Sequence, residues 1–71
     1  MSEDELLERL AELEHEQWVA WSRAVAAEVS TERRRRWQEC WVPYAELPEE
    51  VKELDREWAR KVLAVLNPRS S

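Results

Sequence analysis

Leu13-Glu14-His15-Glu16-Gln17-Trp18-Val19-Ala20-Trp21 is the stretch on which the reading of this chain turns. Nothing in it breaks a helix. At about 100° per residue, its apolar positions Leu13, Trp18 and Trp21 line up with Leu6, Leu7 and Leu10 upstream and Ala24, Val25 and Val29 downstream. Glu14 and Gln17 fall inside that stripe, and His15 lies on its edge, one turn before Trp18. A carboxylate buried without partners is strongly disfavoured. Glu14 is therefore expected either to pair with a specific group or to open into a polar pocket.

Working outward, the absence of glycine argues against hairpins, Gly-rich phosphate loops and dinucleotide fingerprints, and leaves an all-helical chain. With 71 residues the chain makes one domain, and a chain this short buries only roughly 60% of its extended surface. Such domains usually add disulfides, a metal or a partner subunit. Cys40 is the only cysteine, which rules out an internal disulfide and makes a partner subunit, a homodimer, the expected support. One free cysteine, no signal-peptide pattern and no apolar run approaching about 18 residues point to a cytoplasmic protein with no membrane span. Five tryptophans with no phenylalanine are an unusual aromatic choice, because indole carries an N–H that must find an acceptor. Stacking on a planar ligand, packing at a subunit interface and filling a small core are the three uses open to it.

Three helices are legible. Ser2 followed three residues later by Glu5 is a capping box, and Glu3, Asp4 and Glu5 suit the positive end of a helix dipole, so the first helix starts there. It meets no breaker before about Val29. Ser30 and Thr31 are the next capping candidates, and a short second helix is expected over 31–41. That helix carries Arg33 to Arg36, with Trp37 and Trp41 at i and i+4 on one face. Val42-Pro43-Tyr44-Ala45-Glu46-Leu47-Pro48 then breaks the pattern twice, because each proline disfavours helix in its predecessor. One 3₁₀ turn fits in this connection. Glu49 and Glu50 after Pro48 open a third helix that should run to about Leu66 with Leu47, Val51, Leu54, Trp58, Val62 and Val65 inward and Asp55 among them. Asn67-Pro68 stops it. The expected division is one helical domain over 1–67 and a disordered tail over 68–71.

Charge is unevenly distributed. Residues 1–29 carry eight acids and two bases, 30–41 four bases and two acids, and 42–71 six acids and five bases, for a net charge of −5. That balance does not suit a protein that binds polymeric nucleic acid, which calls for a basic footprint. The local arginine cluster can still take one or two phosphates, or it can be a solvated face that balances the acidic first helix.

Glu14-His15-Glu16-Gln17-Trp18, then Val42-Pro43-Tyr44-Ala45-Glu46-Leu47-Pro48-Glu49-Glu50, then Lys52, Asp55 and Arg56, resemble in order and spacing the ryanodine-receptor repeat (RyR) domain. That family has an EHxxW element, a VPYxxLPE connection and a KxxDR element, and the match covers roughly residues 10–66. The middle departs from it. Many members have a Gly-Trp-x-Tyr-Gly hairpin and a His-Pro pair there, whereas this chain has helix-like sequence from Ala26 to Gln38, as in a minimal, all-helical variant. The resemblance implies a binding module without catalysis or cofactor, for an adenine nucleotide or another nucleotide-derived signal. By matching position it nominates Glu14, His15, Trp18, Tyr44, Asp55 and Arg56 as site residues. Helix-face geometry adds Arg36, Trp37 and Trp41.

Duller readings stand beside these. Trp18 can be a core residue, Tyr44 a lid that caps a helix end, and Asp55 and Arg56 a structural pair with Glu14 or the arginine cluster. Glu12-x-x-His15 has the spacing of a di-iron bundle ligand pair, but with one histidine in the chain a second copy would have to complete the site. No nucleophile is placed with a base. The competing function is a helical homo-oligomeric or partner-docking protein with a Trp-rich interface, since tryptophan and arginine favour interface hot spots.

Overall fold

The structure, a computed structural model, describes residues 1–66. The expected helix stop at Asn67-Pro68 and the tail over 68–71 lie outside the described residues. Three helices form, α1 (Glu3–Val25), α2 (Thr31–Gln38) and α3 (Glu49–Leu66), and among the described residues there is no strand. The all-helical, three-helix reading holds.

The local signals act where the sequence has them. Ser2 Oγ accepts from the Glu5 N–H at 3.1 Å and opens α1, and Ser30 Oγ accepts from the Arg33 N–H at 3.1 Å and opens α2. α1 is shorter than its breaker-free run to Val29. Regular helix stops at Val25, and a single 3₁₀ turn covers Ala26–Glu28. The reason is competition. Ser30 must be extended (φ −63°, ψ 154°) to cap α2, and the Arg34 Nε–H donates to the Ala26 carbonyl at 2.9 Å, satisfying an acceptor that further helix would have used. α2 likewise ends at Gln38 rather than Trp41, tightening into i→i+3 bonds at Cys40 and Trp41. The connection carries one 3₁₀ turn, Tyr44–Glu46, before the Pro48 carbonyl accepts the first bonds of α3.

The inward faces differ from the sequence expectation. On α1 the buried line is Ala11, His15 and Ser22, with Leu7, Leu10 and Trp18 half-buried beside it. Leu6, Leu13, Gln17, Trp21 and Ala24 face water. On α3 Ala59 is fully buried, Val51, Asp55 and Val62 are half-buried, and Leu54, Trp58 and Val65 are exposed. Both faces are thus rotated away from the bulkiest apolar residues. The physical cause is helix spacing. Ala11 and Ala59, each 0% exposed and in one core cluster, let the α1 and α3 backbones approach closely, and large side chains at that seam would hold them apart. Of the two polar groups expected to point inward, Glu14 is half-buried and Gln17 is exposed.

Tyr44 and Leu47, supplied by the connection, complete a core of four buried apolar residues. The molecule is long for its size, 44 × 21 × 17 Å. Among the described residues no helix is long and apolar enough to cross a membrane.

Candidate functional site

Rotation of the two faces leaves a half-open cleft of about 420 Å³ between α1 and α3. α1 supplies Glu14, His15 and Trp18, α3 supplies Val51, Leu54, Asp55 and Trp58, and Cys40 enters from the connection. The volume lies within the range of small-molecule sites, roughly 300–1,000 Å³.

His15 is the hub. It lies four residues after Ala11 on the buried line of α1 and is 3% exposed. Its Nε2–H donates to the Val42 carbonyl at 2.6 Å, which fastens the connection onto α1. The other ring nitrogen, Nδ1, lies 3.9 Å from Asp55 Oδ2. The imidazole is near-parallel to Trp18, with ring centres 6.1 Å apart, and tilted against Tyr44 at 6.4 Å. Trp18 and Trp37 in turn meet in a T-shaped pair with ring centres 6.0 Å apart, and Trp37 packs on Trp21 at 5.7 Å. α2 thus buttresses the indole that walls the cleft.

Asp55 is only 17% exposed. Burial holds its carboxyl above the usual aspartate value; the His15 charge opposes that shift and the Glu14 charge adds to it. Burial also raises the Cys40 thiol, helped by the charges of Glu39 and Asp55, so the thiol stays protonated at neutral pH.

A second polar cluster is separate from the cleft. Arg56 Nε–H donates to Glu8 Oε1 at 2.6 Å, Arg56 Nη1–H donates to Glu49 Oε2 at 3.0 Å, and the Tyr44 hydroxyl donates to Glu8 Oε2 at 2.8 Å. Glu8 ties α1, the connection and α3 together. The hydrogen bond from Arg56, then that from Tyr44, holds the Glu8 carboxyl below its usual value. Burial, then the bond to Glu8, pushes the Tyr44 phenol up to about 12.

These shifts set a pH dependence. Tyr44 has a folded value above its unfolded one, so its contribution is complete below about pH 10 and is lost as pH rises from there to about 12. Glu8 has a depressed folded value, so its contribution is present at neutral pH and is lost as pH falls through the acid range. Tyr44→Phe should destabilise the domain by about 1 kcal/mol at neutral pH, the low end for a bond to a charged group because Glu8 is 45% exposed. It should also flatten the alkaline limb of a melting-temperature profile. An unchanged alkaline limb in the variant would remove Tyr44 as its cause.

Of the nine nominated residues, the cleft gathers Glu14, His15, Trp18 and Asp55. Trp37 stands behind Trp18. Trp41 does not line the cleft: its Nε1–H donates to the buried Ser22 Oγ at 2.9 Å, and Arg23 lies over its ring at 5.3 Å. Tyr44 and Arg56 belong to the Glu8 cluster, and Arg36 is exposed on α2 outside the cleft lining. The structural pairing considered for Asp55 and Arg56 exists with other partners, His15 for the first and Glu8 and Glu49 for the second. Trp58 and Leu54, read as core from their periodicity, line the cleft, as does Cys40. Glu8 went unrecognised, although its place seven residues before His15 puts it on the same face of α1. Among the described residues no group of three or more His, Cys, Asp or Glu is placed to hold a metal ion, and the Nε2 of His15 is engaged by Val42.

Compared with the models of known families, with curated proteins and with solved structures, the chain has no significant match.

Proposed function

We propose that this domain is a non-catalytic module that binds a nucleotide-derived small molecule, with the base held in the cleft between α1 and α3. The observation that carries the reading is the convergence of Glu14, His15, Trp18 and Asp55 on one cleft of about 420 Å³. These residues come from two separated stretches of sequence, and both stretches belong to the pattern that resembles the RyR domain. Indole faces stack on a base for about 1–3 kcal/mol. The Glu14 and Asp55 carboxylates accept from an exocyclic amine. The phosphates point out of the cleft, because Arg56 is engaged by Glu8 and Glu49 and Arg36 stands outside the lining. Catalysis is not assigned: the imidazole Nε2–H is committed to Val42, and the thiol stays protonated. A reducing, cytoplasmic setting fits the free Cys40.

Binding stabilises the fold by about 2.7 kcal/mol at 100 times the dissociation constant. For a domain this small that is a melting shift of roughly 10–20 °C. A thermal-shift and calorimetric screen of nucleosides, adenine nucleotides, ADP-ribose variants and cyclic nucleotides should therefore give a clear hit, lost in Trp18→Ala while the circular-dichroism spectrum stays helical. No shift with any compound would overturn the reading.

One observation favours a second reading, self-association. Leu13, Trp21, Leu54 and Trp58 are each more than half exposed, against four buried apolar residues among the described residues. Melting that rises with protein concentration in the absence of ligand would support a homodimer.

A further inference from the structure

We infer that the base held in the cleft carries a positive charge, so that the ligand is a nucleoside or nucleotide built on a cationic heterocycle such as an N-alkylated pyridinium or purinium. The inference rests on the ligand-cleft reading above and names the ligand class for that site.

Three observations carry it. First, the charged side chains that line the cleft, His15 apart, are Glu14 and Asp55, and among the described residues no lysine or arginine lines it. The cleft therefore presents negative charge where an anionic ligand would need cations. Second, the Glu14 charge works against ionisation of Asp55. Asp55 is largely shielded from water, and burial, with a smaller part from the Glu14 charge, holds its carboxyl up against the opposing His15 charge. A cation seated beside Asp55 offsets both its burial and the Glu14 charge, which the hydrogen bond from a neutral base's amine does only in part. Third, the remaining walls are suited to cations. Trp18 and Trp58 both line the cleft, and indole is the side chain with the strongest attraction for a cation over its face. Lys61, which does not itself line the cleft, lies over Trp58 with its ammonium 4.1 Å from the ring centre, so Trp18 is the indole left for a ligand cation.

Shape decides between kinds of cation. A hard metal ion wants six or more oxygen ligands, and this cleft offers two carboxylates among apolar walls. A simple ammonium leaves most of about 420 Å³ unfilled. A flat cationic ring suits the site better: it packs against indole, its in-plane substituents donate to Glu14 and Asp55, and its sugar leaves through the open side. Each phosphate added near the mouth then brings negative charge toward the two carboxylates and weakens binding.

The test titrates the full chain, by calorimetry and tryptophan fluorescence, with two matched pairs, nicotinamide riboside against its neutral dihydro form and 7-methylguanosine against guanosine, and with the series adenosine, AMP and ATP. The expected result is at least a tenfold preference for the cationic member of each pair, reduced towards unity by Glu14→Gln and by Asp55→Asn. Should Asp55→Asn lose its helical spectrum, Glu14→Gln alone carries the comparison, since Glu14 forms no hydrogen bond or ion pair among the described residues. Equal binding within both pairs would overturn the charge inference and leave the cleft as a nucleoside site. Affinity that rises from adenosine through AMP to ATP would also overturn it, with the nucleotide reading intact. No binding by any of these compounds would overturn both.

Discussion

His15→Ala should lower the melting temperature by roughly 10–25 °C. The substitution removes a side chain that is 3% exposed and leaves the Val42 carbonyl without its donor. Loss of buried volume and an unsatisfied backbone acceptor together cost about 2–4 kcal/mol, and a domain of this size shifts by about 4–8 °C per kcal/mol. The effect is large against a total stability that scales at roughly 0.05–0.15 kcal/mol per residue. His15→Leu separates the two causes, because it restores bulk without the donor. It should recover less than half of the loss if the bond to Val42 dominates. A melting temperature for His15→Ala within about 3 °C of the wild type would show that the connection is held elsewhere.

Ala59→Leu should be comparably damaging by the opposite route. Ala59 is 0% exposed and shares the core cluster with Ala11, so a leucine there has no void to occupy and must push α1 and α3 apart. Overpacking of this kind costs about 1–3 kcal/mol, occasionally more. Because Asp55 and Trp58 ride on the same helix, the displacement also changes the cleft, and ligand affinity should fall with stability. Leu54→Ala is the control. That side chain is 59% exposed, so the truncation should leave melting within about 0.5 kcal/mol of wild type. A fully stable Ala59→Leu would mean that the helices tolerate a wider seam than Ala11 and Ala59 suggest.

The two expectations share a lesson about what can be read from sequence. Caps, breakers and proline boundaries are short-range signals, and Ser2, Ser30, Pro43 and Pro48 placed the helices and the 3₁₀ turn of the connection to within a few residues. The faces were less legible. Periodicity gives weight to leucine and tryptophan, but the seam between α1 and α3 is set by how closely two backbones approach, and that favours alanine. Leu13, Leu54 and Trp58 therefore left the expected core, and His15 moved from its edge to its centre. The same rotation explains the site. Helical periodicity already turned Glu14 and Asp55 toward the interior or a cleft, and both line it beside Trp18, whereas Trp58 looked like core. Arg56 was legible as a motif residue but not in its role, since its partner Glu8 lies 48 positions away.

α2 has no fully buried residue. It is held at its start by Ser30 and Arg34 and at its end by Trp37 against Trp18 and Trp21. Such an element should open on its own, well below the free energy of global unfolding. Its amides should exchange with deuterated solvent orders of magnitude faster than those in the middle of α1. Each opening withdraws Trp37 and leaves Trp18 unbuttressed. A guest stacked on Trp18 should therefore slow exchange throughout Thr31–Gln38 without touching a single amide of that helix, which would make the protection of α2 a remote gauge of cleft occupancy.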